Sequence, residues 1–386
     1  MRSRPVRRVR HPGGGREARI RVGLPGGPGD GRARSRLGRL GSHACAGPRS
    51  SRRRRRQPAQ ARGQEGGAVS LDLTVSLGGL SLANPVMNAS GTFGYGGEWP
   101  RLCETARLGA IVTKTLTLAP RAGNPPPRLH ETASGLMNSI GLENVGVEAF
   151  LRDYLPGIKK LGPRVIASVG GEAPSEYARC VERLEDSESP PDAYEINISC
   201  PNVAAGGLSF GRSETDSARV VRDARAKTRR PLFVKLTPNV TDIVAIGRAC
   251  VAEGADGLTA VNTFLGMAVD VDREHPIFAR VGAGVSGPAI MPLALHRVYE
   301  LAQALPVPLI GAGGIVTARD ALAFLLAGAS AVQVGTATLR DPARPAALVD
   351  EIAQLLEEKH ARSVREVIGR LHRASRADPP GSEVAG

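Results

Sequence analysis

The stretch Glu195-Ile-Asn-Ile-Ser-Cys-Pro-Asn202 shows the pattern that decides the fold of this chain, a short strand that ends in polar side chains. The strand must stop at Pro201, because proline cannot donate to a sheet ladder. A thiol flanked by amides at a strand end suits proton transfer to a small polar ring. The alternative is a structural cysteine in the core, the usual fate of a free thiol. Apolar packing does not need two neighbouring amides, so we favour a functional site at Cys200.

The same pattern recurs along the chain, with helical patterns between the strands. Such alternation is typical of βα units and a parallel sheet. The predicted strands are 86–90, 110–115, 165–169, 193–199, 232–236, 257–262, 307–312 and 331–335. Eight of them predict an α/β fold, a (β/α)8 TIM barrel, rather than an open sheet. A small hairpin at 73–82 is predicted to close the bottom of the barrel.

Helical spacing places two of the five cysteines in the core. Apolar residues recur at i, i+3, i+4 and i+7 from Tyr177, so Cys180 is predicted to lie on a buried stripe. Cys250 lies on a similar apolar stripe. The cysteines form no CxxC pair and show no metal-ligand spacing. We therefore expect no metal site, disulfide framework or iron–sulfur cluster held by this chain.

The charge of the chain is concentrated near its N-terminus. The whole chain has 51 Lys and Arg against 37 Asp and Glu, a net charge of +14. Residues 1–67 hold 19 of the Arg and three of the acidic residues, so the remainder is nearly neutral. A segment this rich in Gly, Pro and Arg has too few apolar residues to bury a core. We predict a disordered basic tail at 1–68 and a barrel domain at 69–386.

The arginine run at 52–56 leaves the role of the tail open. It could contact nucleic acid or an anionic surface electrostatically. We favour a solvated tail, or a leader translated ahead of a wrongly assigned start, because no aromatic residue precedes Phe93 to stack on bases. A transit peptide would need an amphipathic period that the tail lacks. The sequence has no signal-peptide core and no apolar run of about 18 residues, so a soluble, cytoplasmic protein without membrane contact is expected.

The residues at the strand ends predict an active site. In a barrel these ends converge on one face, where active sites form. Two lysines, three asparagines and a cysteine in one mouth are costly to desolvate unless a ligand satisfies them. The polar and glycine residues at or beside the strand ends are Ser90, Lys114, Thr115, Ser168, Asn197, Cys200, Asn202, Lys235, Asn262, Thr263, Gly313, Gly314, Gly335 and Thr336.

Two glycine-rich turns predict a phosphate site. Gly311-Ala-Gly-Gly-Ile315 follows the seventh strand and Val334-Gly-Thr336 follows the eighth, where many barrels hold phosphate with backbone N–H groups. The stretch Gly282-Ala-Gly-Val-Ser-Gly287 also matches GxGxxG. No clear strand precedes it and Pro288 follows at once, so we do not predict a dinucleotide fold. We expect a flexible loop there, with its amides facing a ligand.

Two lysines and one loop are assigned to the ligand. Lys114 and Lys235 either pair with internal carboxylates or stabilise an anionic reduced flavin. The loop Asn138-Ser-Ile-Gly-Leu142 offers an amide and backbone N–H groups to an anionic substrate. The preceding Asn124-Pro-Pro-Pro-Arg128 is stiff and extended, and is predicted to hold that loop over the barrel mouth.

These residues together resemble the dihydroorotate dehydrogenase family, the FMN enzymes of pyrimidine synthesis, over about residues 71–370. The matching motifs are Asn88-Ala-Ser-Gly91, Thr113-Lys-Thr115, Asn138-Ser-Ile-Gly-Leu-Glu-Asn144, Asn197-Ile-Ser-Cys-Pro-Asn202, Lys235-Leu-Thr-Pro238, Val261-Asn-Thr263, Gly311-Ala-Gly-Gly-Ile315 and Gln333-Val-Gly-Thr336. The resemblance implies that (S)-dihydroorotate is oxidised to orotate on the way to UMP. It implies that Cys200 removes the C5 proton while FMN accepts hydride from C6. A cysteine base marks the soluble class, whereas membrane-associated members use serine.

The resemblance also implies the binding residues. FMN would contact Ser90, Lys114, Thr115, Ser168, Asn197, Lys235, Val261, Gly287, Gly313, Gly314, Gly335 and Thr336. Dihydroorotate would contact Lys114, Asn138, Ser139, Ile140, Gly141, Leu142, Asn197, Asn202, Asn262 and Thr263. One departure from the family is Ser168, where relatives often carry the longer Asn.

Segments 124–128 and 206–211 resemble the NAD-linked subtype of the soluble class. Such enzymes pair this subunit with a second protein bearing FAD and a [2Fe–2S] cluster, and a homodimer core or a heterotetramer is expected. The fumarate-linked subtype, which needs no partner, is the alternative. Two further alternatives are a flavin-dependent tRNA-dihydrouridine synthase, whose tail would bind RNA, and a flavin-free barrel in which Cys200 is a covalent nucleophile. We expect no nucleic-acid partner.

Overall fold

The computed structural model describes residues 71–98, 100–199, 201–202 and 208–377. The chain divides into two units, Met1–Glu65 and Gly66–Gly386, and every described residue belongs to the second. The predicted tail at 1–68 and Cys200 lie outside the described residues, so the predictions made for them stay predictions.

Strands and helices alternate through the described part of the chain. The strands are β1 (Val75–Leu77), β2 (Leu80–Leu82), β3 (Val86–Asn88), β4 (Ala110–Val112), β5 (Leu129–Thr132), β6 (Gly135–Asn138), β7 (Arg164–Val169), β8 (Ala193–Asn197), β9 (Pro201–Asn202), β10 (Leu208–Ser209), β11 (Leu232–Lys235), β12 (Gly257–Ala260), β13 (Phe264–Gly266), β14 (Val269–Asp270), β15 (His275–Pro276), β16 (Ala283–Ser286), β17 (Leu309–Ala312) and β18 (Ala329–Val334). The α-helices are α1 (Gly146–Asp153), α2 (Leu155–Lys159), α3 (Pro174–Glu185), α4 (Glu214–Arg225), α5 (Ile243–Ala252), α6 (Met291–Ala304), α7 (Ala318–Leu326), α8 (Thr336–Arg340), α9 (Arg344–Glu358) and α10 (Arg370–Ala377). None of these described helices is long and apolar enough to cross a membrane.

Eight of the strands close a parallel barrel in the order β3-β4-β7-β8-β11-β12-β17-β18. Each predicted strand corresponds to one of them, so the (β/α)8 barrel is confirmed. The predicted strands often continue past the observed ends, because their polar last residues leave the regular ladder. Thr113 and Leu116 beyond β4 still donate backbone hydrogen bonds to the β7 carbonyls of Ile166 and Ser168. The strand-end residues are therefore held in place although they lie outside the strand.

The helices bury the cysteines that their spacing assigned to the core. On α3, Tyr177, Cys180 and Leu184 are fully buried. Burial raises the pKa of Cys180 to about 12 and the pKa of Cys250, on α5, also to about 12. Both thiols are protonated at neutral pH, and both are structural, as predicted.

The hairpin of β1 and β2 lies at the bottom of the barrel, as predicted. The two strands pair antiparallel through a turn at Gly78 and Gly79, both of which have positive φ. A Cβ on Gly78 would lie 2.6 Å from the Cβ of Asp256, which immediately precedes β12. The carbonyl of Ser81 accepts a hydrogen bond from Arg164, the first residue of β7. Both contacts are with the N-terminal ends of barrel strands.

A second sheet covers the opposite end of the barrel, and we call it the hood. It is antiparallel, in the order β13-β16-β6-β5. Gly284 pairs with Asn138, and Phe264 pairs with Val285. The prediction of a flexible loop at 282–287 is therefore wrong, since β16 lies within it. The segment Ala-Gly-Val-Ser has weak intrinsic strand preference, and its strand structure depends on distant partners.

The side chain of Asn88 supplies two hydrogen bonds between β3 and β4. These strands share one backbone pair, Met87 with Ala110. The side-chain nitrogen of Asn88 donates to the Val112 carbonyl at 2.7 Å, and its oxygen accepts from the Val112 N–H at 3.0 Å. Asn88 is fully buried. Its amide thus takes the place of the next step of the ladder.

We expect Asn88→Ala to lower the free energy of unfolding by about 2–6 kcal/mol. Two buried backbone groups of Val112 lose their partner, at about 1–3 kcal/mol each. Urea denaturation followed by circular dichroism measures the change. Gln303→Ala is the control, because its exposed amide bonds to the Tyr299 hydroxyl on the surface and should change stability by at most about 0.5 kcal/mol. Equal stability of the two variants would contradict a structural role for Asn88.

Candidate active site

A cavity of about 480 Å³ opens at the C-terminal ends of the barrel strands, beneath the hood. Its volume is typical of a small-molecule site. Strand-end residues and hood residues line it together. The predicted site residues that line it are Ser90, Lys114, Thr115, Asn138, Ser139, Ile140, Gly141, Leu142, Asn197, Lys235, Val261, Asn262, Thr263, Gly287, Gly313, Gly314, Gly335 and Thr336.

The other three predicted site residues are Ser168, Asn202 and Cys200. Ser168 is fully buried behind Thr115, with the two hydroxyl oxygens 3.0 Å apart. Its contact with the cavity therefore runs through Thr115. Asn202 lies in β9, which pairs with β10. Cys200 lies outside the described residues, between Ser199 and Pro201 in the sequence.

Asn197, at the end of β8, is the centre of a hydrogen-bond network. Its Nδ2 donates to Thr115 Oγ1 at 3.2 Å, and its Oδ1 accepts from Asn262 Nδ2 at 3.2 Å. The same oxygen accepts from the backbone N–H of Ser199 at 3.3 Å. These contacts fix which way the amide faces, and they anchor the backbone that leads to Cys200.

Lys235, at the end of β11, meets a carboxylate that the sequence analysis did not assign to the site. Its Nζ donates to Gln333 Oε1 at 2.8 Å and lies 3.7 Å from Glu195 Oε1. Lys235 therefore pairs with an internal carboxylate, and its contact with a flavin stays a prediction. A signal was available, because Glu195 lies two residues before Asn197 and a strand directs such residues to the same face.

The loop at 138–142 is held by the extended segment before it, as predicted. The backbone N–H of Asn124 donates to the Ile140 carbonyl at 2.9 Å, and that of Ser139 donates to the Arg128 carbonyl at 2.8 Å. The Asn124 side chain also donates to Ser139 Oγ at 3.0 Å. The loop is thereby fixed at the cavity wall.

Asn239 fastens the hood to the barrel, and the sequence analysis did not identify it. Its Nδ2 donates to the Thr263 carbonyl at 3.0 Å, and its Oδ1 accepts from the Leu265 N–H at 2.9 Å. Asn239 follows β11, directly after the motif Lys235-Leu-Thr-Pro238. Its position just beyond a strand end is the sequence feature that identifies it as a candidate.

Gly284 of the hood lets two predicted substrate contacts approach each other. A Cβ there would overlap Thr263 Oγ1 and would lie 3.2 Å from Asn138 Nδ2. The Gly284 carbonyl accepts a hydrogen bond from the same Asn138 nitrogen at 3.3 Å. The absence of a side chain at Gly284 therefore allows Thr263 and Asn138 to lie this close to the hood backbone.

We expect Gly284→Ala to lower kcat/KM for the substrate about 10–100-fold while the cofactor stays bound. The new methyl group must displace Thr263 or Asn138, and a misplacement of about 1 Å can cost about a hundredfold in rate. Gly282→Ala is the matched control, because its Cβ would meet the side-chain end of Leu265 at 2.9 Å, and Leu265 is exposed and can move. Steady-state kinetics separate the two, and similar losses in both would contradict a role specific to Gly284.

The side of the cavity formed by β17 and β18 has the features of a phosphate site. Gly313 and Gly314 follow β17 with φ of +129° and +77°, a backbone that side chains rarely adopt. Thr336 begins α8, where the first N–H groups have no partner within the helix. Thr336 Oγ1 donates to Ser286 Oγ at 2.8 Å, which joins this turn to the hood.

The donor set of the cavity fits a flavin. Backbone N–H groups at the glycine turns suit a phosphate. The lysine and amide side chains at the ends of β8 and β11 suit the polar edge of a ring that gains negative charge on reduction. Apolar residues such as Val261 and Ala312 complete the lining.

A closed (β/α)8 barrel with a polar cavity that fits a flavin at the C-terminal ends of its strands defines the class of the protein. The family model of dihydroorotate dehydrogenase matches residues 72–356. The chain therefore belongs to the dihydroorotate dehydrogenase family, and it is an enzyme of that family.

Several curated relatives share the name dihydroorotate dehydrogenase B (NAD(+)), catalytic subunit. The relative from Desulforudis audaxviator is 50% identical over 299 residues, which span 78% of this chain and 97% of the relative. The relative from Trichlorobacter lovleyi is 48% identical over 299 residues, with 78% and 98% covered. The relative from Geobacter sulfurreducens is 47% identical over 300 residues, with 78% and 98% covered. The similarity thus spans almost the whole of each relative.

Proposed function

We propose that this chain is the catalytic subunit of an NAD-linked dihydroorotate dehydrogenase. It oxidises dihydroorotate to orotate in pyrimidine synthesis and passes the electrons to a second subunit, which reduces NAD+. The observation that carries the proposal is the convergence of Asn197, Lys235 and the loop at 138–142 on one cavity. The names of the relatives support NAD+ as the acceptor.

We assign FMN to the cavity. The N–H groups of Gly313, Gly314 and Thr336 would bind its phosphate, because glycine turns and a helix start allow close approach to an anion. Lys235 and Asn197 would bind the polar ring edge. Gly335, Gly287, Val261, Ser90, Lys114 and Thr115 complete the proposed FMN contacts. When bound, FMN supplies the hydride acceptor of the reaction.

Cys200 is the proposed base. Its thiolate removes the proton from C5 of dihydroorotate while hydride leaves C6, and the electron pair of the C5–H bond becomes the ring double bond. The Asn197 side chain accepts from the N–H of Ser199 and so holds the residue that precedes Cys200 in the sequence. The substrate loses one proton and one hydride, which balances its oxidation to orotate.

The hood and its loop are the proposed receptors of the substrate. The loop at 138–142 offers the Asn138 amide and backbone N–H groups to the carboxylate. Asn262 and Thr263, which follow β12, would bind the amide edges of the ring. Asn197, Lys114 and Asn202 complete the proposed substrate contacts.

A partner subunit with FAD and a [2Fe–2S] cluster is the proposed route to NAD+, in a heterotetramer around a homodimer of this chain. Cys103, Cys180 and Cys250 are separate buried thiols, and none is near enough in sequence to another to suggest a cluster. We therefore assign the cluster to the partner.

Anaerobic reduction of the purified flavoprotein by dihydroorotate tests the proposal. We expect dihydroorotate to bleach the flavin, and NAD+ to restore its absorbance when the second subunit is present. Restoration by fumarate without a partner would assign the fumarate-linked subtype instead. A flavin that dihydroorotate does not bleach would reject this substrate.

A further inference from the structure

A buried carboxylate inside the barrel has no part in the proposed chemistry. Glu195 is inaccessible to solvent, and its Oε2 accepts from Thr259 Oγ1 at 2.9 Å and from Gln333 Nε2 at 2.5 Å. Within the described ranges its Oε1 has no hydrogen-bond partner. That oxygen lies 3.7 Å from Lys235 Nζ. One oxygen of Glu195 is thus held by hydrogen bonds, and the other is nearest to a cation.

The four side chains form one series of contacts from the barrel interior to the cavity. Lys235 and Gln333 line the cavity, whereas Glu195 and Thr259 lie deeper and are fully buried. The Gln333 oxygen accepts from Lys235 at 2.8 Å, and its nitrogen donates to Glu195. The opposite charges on its two sides therefore fix the orientation of this amide.

Stability does not account for such a pair. The side chains of Lys235 and Glu195 are 6% and 1% exposed, and burial of two charges costs desolvation free energy that their attraction often fails to recover. Apolar side chains of similar volume would fill the barrel at least as well. The ion pair supplies something that apolar residues cannot, a cation fixed beside the ligand with a negative charge directly behind it.

We propose that Glu195, through its negative charge behind the Lys235 ammonium at the cavity floor, sets the reduction potential of the flavin bound above it together with Lys235. The inference rests on the proposed flavin site. A cation at the polar ring edge favours the negative charge that the ring gains on reduction. A carboxylate behind the cation opposes that effect. The two residues therefore act on the potential in opposite directions.

Reductive titration of the purified flavoprotein against reference dyes measures this effect. Glu195→Gln keeps the shape of the side chain and removes its charge, and we expect it to raise the potential. The expected change is at least tenfold in the equilibrium, about 30 mV for a two-electron couple. Lys235→Met should lower the potential by a similar factor. Thr259→Val is the control, because it removes one hydrogen bond to Glu195 and leaves both charges, so its shift should stay below about threefold.

Two outcomes would overturn the inference in a protein that binds flavin, namely no shift in Glu195→Gln, or shifts of the same sign in Glu195→Gln and Lys235→Met. A wild-type protein that binds no flavin would instead reject the flavin site itself.

The flavin-free protein gives a second test if a variant loses its cofactor. Each single change should lower the unfolding midpoint, and Glu195→Gln combined with Lys235→Met should recover most of the loss, because no unpaired buried charge remains. Losses that simply add would show that the two residues are not coupled.

Discussion

Cys200→Ala is expected to slow reduction of the bound flavin by dihydroorotate about 10²–10⁴-fold, the usual contribution of a positioned general base. Flavin should remain bound, because Cys200 is not among its proposed contacts. The preceding residue is held from two sides, since the Ser199 N–H donates to Asn197 Oδ1 and the Ser199 hydroxyl donates to the Lys235 carbonyl at 3.2 Å. Loss of one thiol should therefore not collapse the site. Anaerobic stopped-flow absorbance measures the rate.

A rise of this rate with pH is the second expected property of a thiol base. The reactive form is the thiolate, and an ordinary thiol has a pKa of about 8.5. The thiolate fraction therefore increases as the pH rises, and the rate levels off above the pKa of Cys200. Cys200→Ala should lose this titration, so that its residual rate is flat over the same range.

Cys250→Ala is the matched control for both measurements. Burial on α5 raises the pKa of the Cys250 thiol to about 12, and its side chain is in the core rather than in the cavity lining. Its removal should leave the rate and the pH profile of flavin reduction unchanged. If Cys200→Ala reduced its flavin at the native rate, the base would have to be another residue.

The barrel could be predicted because each of its strands carries its own signal. β8 and β11 are largely apolar strands that end in a polar residue, Asn197 or Lys235. This pattern can be seen without knowledge of the neighbouring strand. Once eight strands are ordered around a barrel, their ends must meet. The strand register confirms that these ends meet, since Lys235 pairs directly with Asn197 in the sheet. The main part of the candidate site thus follows from local patterns and one topological rule.

The hood, and the hydrogen bonds that stabilise the buried Glu195, could not be predicted in the same way. The strand structure of β16 depends on pairing with β6 and β13, which lie far away in the sequence. Glu195 is polar at a buried strand position, which is unfavourable for an isolated carboxylate. Thr259 and Gln333, which make that position acceptable, lie on β12 and β18. Both features depend on contacts between distant segments, and a local pattern does not contain them.

Asn197→Ala is expected to lower kcat/KM for dihydroorotate about 10²–10³-fold, comparable to the loss of one fixed hydrogen-bond donor in other active sites. Its side chain contacts Thr115, Asn262 and the backbone of Ser199. Each of these groups would lose a partner in a largely buried site, at about 1–3 kcal/mol for a group left unsatisfied. Thr115→Val, which breaks one of the three contacts, should give a smaller loss of about tenfold.

Flavin content distinguishes the two roles proposed for Asn197, which is assigned to both FMN and dihydroorotate. The variant is therefore compared with the wild type after reconstitution with saturating FMN. A defect in flavin reduction that persists at full flavin content would place the role of Asn197 in holding the substrate and the Cys200 backbone. A defect that disappears would limit its role to FMN binding. An unchanged kcat/KM in Asn197→Ala would contradict both roles. The three hydrogen bonds of the amide would then affect neither flavin binding nor substrate binding.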